Sequence, residues 1–225
     1  MLTTLHHPHL VRGYEFVDGP TPMVSMETIT GSTLDVILDG RTSRLPWLVI
    51  ACLGEHLCAA LQYLHRRNIL HLDLKPGNIV SEAGKAKVLD LSLAHAPGRG
   101  PAGWGTPAYM APEQADGGEF TTASDVWAVG LILYEAATGV QPFEPLDTPD
   151  EADAVSSVGS SPEIKYLQLQ VRAEPVRKLR RLPAPLAAII DRCLDPDPAR
   201  RPEITELLGV LRSFLSPLIT AETAA

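Results

Sequence analysis

The amino-acid sequence predicts an α+β fold, in which a mainly helical lobe carries a few short strands. A long helical pattern runs from about Trp47 to Arg67, with apolar residues at helical spacing and a broad apolar face. A second, strongly apolar helix is predicted from Asp125 to Thr138, with Gly139 as its C-terminal stop. Short strand-like segments bounded by turn-forming residues lie on both sides of the first helix.

Bulk composition limits the class of protein. A chain of 225 residues with 45% hydrophobic and 20% charged residues suits one soluble globular domain. The net charge of -8 disfavours a nucleic-acid surface, which would need a basic patch. We find no apolar run of bilayer length and no signal segment, so no membrane span and a cytoplasmic location are expected. Three scattered cysteines indicate neither a disulfide framework nor a CxxC metal site.

The remaining elements follow in chain order. Two strands are predicted, Leu10 to Val17 and Met23 to Thr28, parted by a turn-rich linker. Two more, Asn78 to Val80 and Ala86 to Leu89, follow the first helix. Residues 94–105 are Gly/Pro-rich and predict a loop, and the acidic, Ser/Pro-rich residues 144–161 predict a flexible insertion. The last part is predicted to be helical at about Leu169 to Arg181, Ala184 to Cys193 and Glu203 to Leu215.

The run His71-Leu72-Asp73-Leu74-Lys75-Pro76-Gly77-Asn78 resembles the catalytic loop of protein kinases, H-R-D-L-x-x-x-N. Asp90-Leu91-Ser92 then stands where that family has its metal-binding D-F-G, and Ala111-Pro112-Glu113 matches its A-P-E. Two later runs, Asp125-Val126-Trp127 and residues 197–202, resemble further signatures of the family in the right order. Each run alone is weak, but five in order are strong, and the resemblance covers nearly the whole chain.

The resemblance implies a serine/threonine protein kinase that uses ATP and Mg²⁺ and acts on a protein substrate. Asp73 would accept or orient the proton of the substrate hydroxyl, and Lys75 would touch the transferring phosphate. Thr106 would hydrogen-bond to both and shape the hydroxyl site. Asn78 and Asp90 would hold magnesium, which prefers oxygen ligands.

The resemblance also assigns a nucleotide-binding hinge and four structural residues. Met26 falls at the gatekeeper position of the hinge strand, and the Glu27 carbonyl and Ile29 amide would face adenine. The structural set would consist of a buried Glu113–Arg201 ion pair, Asp125 bonded to the backbone of the catalytic loop, and His71 as a positioning group.

Two motifs are rejected as sites. Residues 98–103 match G-x-G-x-x-G, but they follow no first strand, and Pro101 removes an amide that a phosphate cradle would need. The histidine-rich start, His6-His7-Pro8-His9, is not expected to bind a metal, because no Cys, Asp or Glu ligand set stands nearby in the sequence. It more closely resembles the loop that enters the fourth kinase strand.

Three departures from the kinase pattern affect the expected function. Leu72 replaces the arginine that pairs with a phosphorylated activation loop in many kinases, and residues 93–105 contain no Ser, Thr or Tyr. The activation loop is therefore expected to be set without phosphorylation. Ser92 replaces the glycine of D-F-G, which should restrict flipping of that loop. No residue matches the Gly-rich loop, the strand lysine or its glutamate, since the first lysine is Lys75.

The expected organisation is one partial kinase domain: residues 1–30 as an N-lobe remnant and hinge, residues 31–216 as the C-lobe and residues 217–225 as a tail. One hypothesis is an active serine/threonine kinase whose N-terminal lobe is truncated in this chain, with weak or no ATP binding by the chain alone. A catalytically inactive kinase-like binding or scaffold module is the alternative, and a non-functional gene fragment is a third.

Overall fold

The computed structural model describes residues 2–39, 44–143 and 166–222, and within them it confirms the predicted α+β architecture. The helices are α1 (Leu34–Asp39), α2 (Trp47–His65), α3 (Pro112–Asp116), α4 (Thr122–Thr138), α5 (Val176–Leu179), α6 (Ala184–Cys193) and α7 (Ile204–Glu222). The strands are β1 (Gly13–Val17), β2 (Met23–Met26), β3 (Ser32–Thr33), β4 (Ile79–Glu82), β5 (Lys85–Val88), β6 (Gly98–Gly100) and β7 (Gly118–Phe120).

The core of the lobe is helical. Helix α2 packs against α4 and α7, and α4 packs in turn against α6. Nearly every residue of α4 is buried, including Trp127 and Tyr134, as expected for a helix that is apolar all round. Thr121 caps its start by accepting a hydrogen bond from the Ala123 amide, and Gly139 ends it in the left-handed conformation. The predicted glycine stop is thus confirmed.

Three small antiparallel sheets are attached to this core. Strands β1 and β2 form a two-stranded hairpin, and β3, β4 and β5 form a three-stranded sheet in that order. Strand β6 pairs with β7, with Arg99 opposite Glu119. The last pair ties residues 98–100 to the segment that precedes α4, so part of the Gly/Pro-rich loop is an ordered strand.

The prediction of a helix from about Leu169 to Arg181 is wrong. The chain there makes a 3-10 turn at Leu167–Leu169, runs without regular structure and re-enters a short helix only at Val176. Pro175 explains the break, because it lacks an amide proton and disfavours the helical conformation of the residue before it. Helix α6 has the predicted ends and the other predicted elements are present with shifted ends, whereas α1, α3, β3, β6 and β7 were not predicted.

Two expectations are left open by the structure. The predicted insertion at 144–161 lies outside the described residues. In the described part of the chain, α2 is long and apolar enough to cross a membrane by length and composition, and half of its apolar window is buried within the lobe. A core helix gives the same result, so this is weak evidence for a span, and the expectation of none stays a prediction.

Candidate active site

Asp125 of α4 fixes the backbone of the loop between α2 and β4 by hydrogen bonds. Its carboxylate accepts hydrogen bonds from the amides of His71 (3.0 Å) and Leu72 (2.9 Å), and its Oδ2 lies 2.7 Å from His65 Nε2. Burial alone would raise the pKa of Asp125, but the hydrogen bonds and charges of His65 and His71 bring this pKa below its ordinary value. The ionised carboxylate supports the backbone at Leu72, whose φ of 64° is unusual for a residue other than glycine.

In the same loop, the side chains of Asp73 and Lys75 meet the side chain of Thr106 from a later segment. The Thr106 hydroxyl donates to Asp73 Oδ1 over 2.6 Å and accepts from Lys75 Nζ over 2.8 Å. Lys75 Nζ also lies 3.1 Å from Asp73 Oδ2, which closes the triangle. Both predicted contacts of Thr106 are therefore present. The arrangement leaves a carboxylate, a hydroxyl and a cation within reach of one reacting group.

Asn78 closes the loop on its other side. It ends a short 3-10 helix, Pro76–Asn78, in which Pro76 occupies the first position, where its missing amide proton costs nothing. Its Nδ2 donates to the Asp73 carbonyl (2.9 Å) and lies 3.3 Å from Asp73 Oδ2. Because the amide nitrogen faces Asp73, the amide oxygen Oδ1 is the atom left to coordinate a cation.

Asp90 follows β5 and is joined to the loop through its neighbour. The Leu89 amide donates to the Asn78 carbonyl (2.8 Å), and His71 Nε2 lies 3.1 Å from the Leu89 carbonyl. Asp90 itself is exposed, has a φ of 50°, and accepts a hydrogen bond from the Ser92 amide on Oδ1. Ser92, which replaces the glycine, is thus accommodated in a turn closed by the aspartate side chain.

The predicted hinge residues lie at the end of β2 and just beyond it. Met26 pairs with Gly13 and is 48% exposed, while the Glu27 amide donates to the Arg12 carbonyl over 2.9 Å. The side chain of Glu27 forms an ion pair with Lys87 of β5, which ties the hinge to the three-stranded sheet. Ile29 is half-buried and precedes Thr30, whose amide and hydroxyl both donate to Glu82.

Sequence reasoning missed Gln114, which holds the substrate side of the site together. This buried side chain donates from Nε2 to the carbonyls of Leu72 and Trp104, 2.8 Å each, and accepts from the Ala111 amide. It therefore joins the catalytic loop to the segment that carries Thr106. A signal in the sequence was its position in the first turn of a helix started by Pro112, where a Gln side chain can accept a hydrogen bond from the amide of the residue that precedes the helix.

The segment between Asp90 and Ala111 is ordered by apolar packing around Leu72. Leu70, Leu72 and Phe120 form a small buried cluster, against which Trp104 packs. Phe120 also lies over β6, where a Cβ on Gly100 would fall 2.0 Å from its ring. Gly100 of the rejected G-x-G-x-x-G motif thus allows Phe120 to pack closely on the strand. Leu72 fills, with apolar contacts, the position where the family pattern has arginine.

The Glu113–Arg201 ion pair is present and buried. The two guanidinium nitrogens of Arg201 lie 2.8 Å from the two carboxylate oxygens of Glu113, and Arg201 also donates to the Ala123 and Asp195 carbonyls. This pair fastens the end of the Thr106 segment to the helical core.

Comparisons with known proteins find similarity to protein kinases over most of the chain. Residues 1–210 match the sequence model of the protein kinase domain. Serine/threonine-protein kinase PkaA of Streptomyces coelicolor is 32% identical over 222 residues, which is 94% of this chain and 38% of that protein. Serine/threonine-protein kinase PknB of Mycobacterium tuberculosis is 32% identical over 213 residues, 88% of this chain and 32% of that protein.

A plant relative matches a shorter part. Serine/threonine-protein kinase RUNKEL of Arabidopsis thaliana is 39% identical over 153 residues, 64% of this chain and 11% of that protein. The chain therefore spans well under half the length of each of these relatives, between 11% and 38%.

Proposed function

The chain belongs to the protein kinase family, of the bacterial-like serine/threonine type, and from that premise we propose that it forms the phosphoryl-transfer lobe of such an enzyme. The reaction would move the γ-phosphate of ATP to a Ser or Thr hydroxyl of a protein substrate. The observation that carries the proposal is the Thr106 hydroxyl, which bridges Asp73 and Lys75.

Each residue of this triangle has one task. Asp73 orients the substrate hydroxyl and takes its proton as the oxygen bonds to the γ-phosphorus and ADP leaves. Lys75 balances negative charge on the phosphoryl group in transit, and its bond to Thr106 keeps the ammonium beside the reacting atoms. Thr106 orients the Asp73 carboxylate by donating to Oδ1, and Oδ2, which contacts Lys75 and Asn78, would accept the substrate proton.

The residues present fit magnesium. Asn78 offers an amide oxygen and the exposed Asp90 a carboxylate, and oxygen donors of this kind are those that Mg²⁺ takes. When bound, the ion neutralises phosphate charge and orients the phosphates. The chain's own contribution is to hold Asn78 by its bonds to Asp73, and Asp90 by the turn at Ser92.

For the nucleotide, we propose that adenine meets the Glu27 carbonyl and the Ile29 amide, beside Met26. The Glu27–Lys87 ion pair supports this, because it fixes the hinge backbone against the sheet. Met26 is 48% exposed and the side chains of β2 are all exposed, so ATP binding by these residues alone should be weak.

We also propose that the segment from Asp90 to Ala111 is set without phosphorylation. Leu72 packs with Trp104 and Phe120, and β6 pairs with β7. These contacts would order the segment, as a phosphate–arginine pair does in other kinases.

The test is phosphate transfer at millimolar MgATP to a mixture of Ser- and Thr-containing peptides. The wild-type protein should give slow transfer, and Asp73→Asn should lower the rate by about 10²–10⁴-fold. Asp39→Asn, an exposed carboxylate at the end of α1, is the matched control and should keep the wild-type rate. Equal rates for Asp73→Asn and wild type would overturn the proposal.

A second candidate is a kinase-like binding module without catalysis. The observation in its favour is the solvated β1–β2 hairpin, because exposed strands leave the proposed adenine site open on one side. No transfer at millimolar MgATP, together with unaltered folding of Asp73→Asn, would favour this candidate over the enzyme.

A further inference from the structure

Four side chains that could bind a metal meet where the N-terminal segment crosses α2. His9 stands before β1, and Cys52, Glu55 and His56 lie on one face of α2, since helix positions three and four apart are neighbours. One ligand atom from each of His9, Glu55 and His56 lies within 4.8 Å of the others. The fold thus brings to His9 the acidic and thiol groups that the sequence did not show near the histidines.

The tautomer of His9 is set for coordination. Its Nδ1 lies 2.8 Å from the Ala86 carbonyl of β5, and a carbonyl can only accept, so the ring donates from Nδ1. The lone pair of the neutral ring is then on Nε2. Metal-binding histidines are typically held in this way by a backbone carbonyl on the opposite nitrogen.

Glu55 is oriented by a cation from α7. Arg212 donates to Oε1 from Nε (3.0 Å) and from Nη2 (2.8 Å), so the carboxylate is fixed on one side. Its second oxygen, Oε2, is the atom that can reach an ion. A ligating carboxylate supported by a further hydrogen bond is the usual arrangement.

His56 is the ligand that has to rearrange. Its Nδ1 accepts a hydrogen bond from the Ala86 amide over 3.2 Å, and its Nε2 lies 3.7 Å from Cys52 Sγ. Its ring stacks on the ring of His9, with 4.0 Å between the ring centroids. Stacked rings do not aim two nitrogens at one point. Coordination therefore turns the His56 ring about its Cβ–Cγ bond and exchanges two long contacts for a metal bond.

We propose that His9, Glu55 and His56 bind a divalent transition-metal ion of the zinc class, with water or the Cys52 thiolate as fourth ligand. Two imidazoles, a carboxylate and a possible thiolate form a mixed donor set that suits Zn²⁺ and its analogue Co²⁺ better than Mg²⁺. The ion would fasten the segment before β1 to α2, and the contact of His9 with the Ala86 carbonyl would tie the site to β5.

The site is tested with the metals alone on the full chain, after dialysis against a chelator. Co²⁺ should bind saturably at one ion per chain, with the visible absorption of a tetrahedral site, and Zn²⁺ should displace it. At a free Zn²⁺ concentration of about 100 times Kd, the Tm should rise by about 5 °C. A near-ultraviolet thiolate band that is lost in Cys52→Ser would support the thiolate as fourth ligand.

Variants separate a built site from surface binding. His9→Gln and Glu55→Gln should each weaken Co²⁺ affinity by at least about tenfold, and circular dichroism of the metal-free proteins checks that both fold. His6→Gln, an exposed neighbouring histidine, is the matched control and should bind as wild type does. Absence of saturable binding, or equal affinity in wild type and His9→Gln, would overturn the proposal.

Discussion

The loop that carries Asp73 and the β1–β2 hairpin differ sharply in how they are held. His71 is fully buried and the loop backbone is bonded to Asp125, whereas Phe16 and Tyr14 of the hairpin are each 57% exposed. The groups proposed to act on the substrate therefore rest on a packed helical core. The groups proposed to face adenine follow β2, at the end of a hairpin whose side chains are mostly solvated. The loop that carries Asp73 is therefore fixed by buried contacts, whereas the hairpin that precedes the proposed adenine site is exposed to solvent.

Breaking the buried ion pair should have the largest effect on stability. Arg201→Leu leaves the Glu113 carboxylate without its cation in the core and should lower the free energy of unfolding by about 3–5 kcal/mol. Urea denaturation measures this. The exposed Arg192–Glu206 pair is the control, and Glu206→Gln should cost less than about 1 kcal/mol. Similar losses for the two variants would contradict the buried character of the first pair.

Exposure of the proposed nucleotide site should make the affinity of the chain for MgATP low. Titration calorimetry with MgATP should give a Kd no tighter than about 100 μM, because the hinge and loop cover the ligand on one face only. Asp90→Asn should weaken binding further in Mg²⁺ and leave binding in chelator unchanged. A Kd of a few micromolar would show that these residues form a more complete pocket than the contacts indicate.

The contact of α2 with the segment before the hairpin should respond to pH, because His56 stacks on His9 there. Burial, with a smaller contribution from His9, lowers the pKa of His56 from 6.5 to about 4, while Glu55 opposes the shift and Lys85 adds to it. The unfolded chain then binds the extra proton first, so the free energy of unfolding should fall as pH drops from about 6.5 towards 4. Solvent screening of this half-buried ring limits the loss to about 1 kcal/mol.

Urea denaturation at a series of pH values, in a chelating buffer, follows this loss. In His56→Gln the slope between these two pH values should be smaller than in wild type. An unchanged slope would place the proton uptake on another group.

The smallest effect is expected in the hairpin. Phe16→Ser removes an exposed ring and should change the free energy of unfolding by less than about 0.5 kcal/mol. Leu61→Ala, in the fully buried face of α2, is the contrast and should cost about 2–5 kcal/mol. Chemical denaturation of both proteins checks this pair, and a large loss for Phe16→Ser would mean that the hairpin is covered in solution.

The parts that the sequence predicted are those governed by local pattern. Apolar residues at helical spacing predicted α2, and Gly139 predicted the end of α4. The motif at residues 71–78 predicted the loop that carries Asp73. The helix expected across Pro175 failed because one proline outweighed the surrounding periodicity. Contacts between distant segments that no family motif marks gave no sequence signal. Gln114 reaches Leu72 from 42 positions away, and His9 meets His56 only because α2 and β5 pack together.

The most direct measurement of the central claim compares Thr106→Val with Thr106→Ser in phosphate transfer at millimolar MgATP. Valine keeps the shape of threonine without its hydroxyl, so Asp73 and Lys75 lose their bridge, whereas serine keeps the hydroxyl. We predict a fall of about 10²-fold for Val and a rate within about threefold of wild type for Ser. Equal rates for Val and Ser, or stoichiometric phosphate on Thr106 in the active protein, would contradict the account.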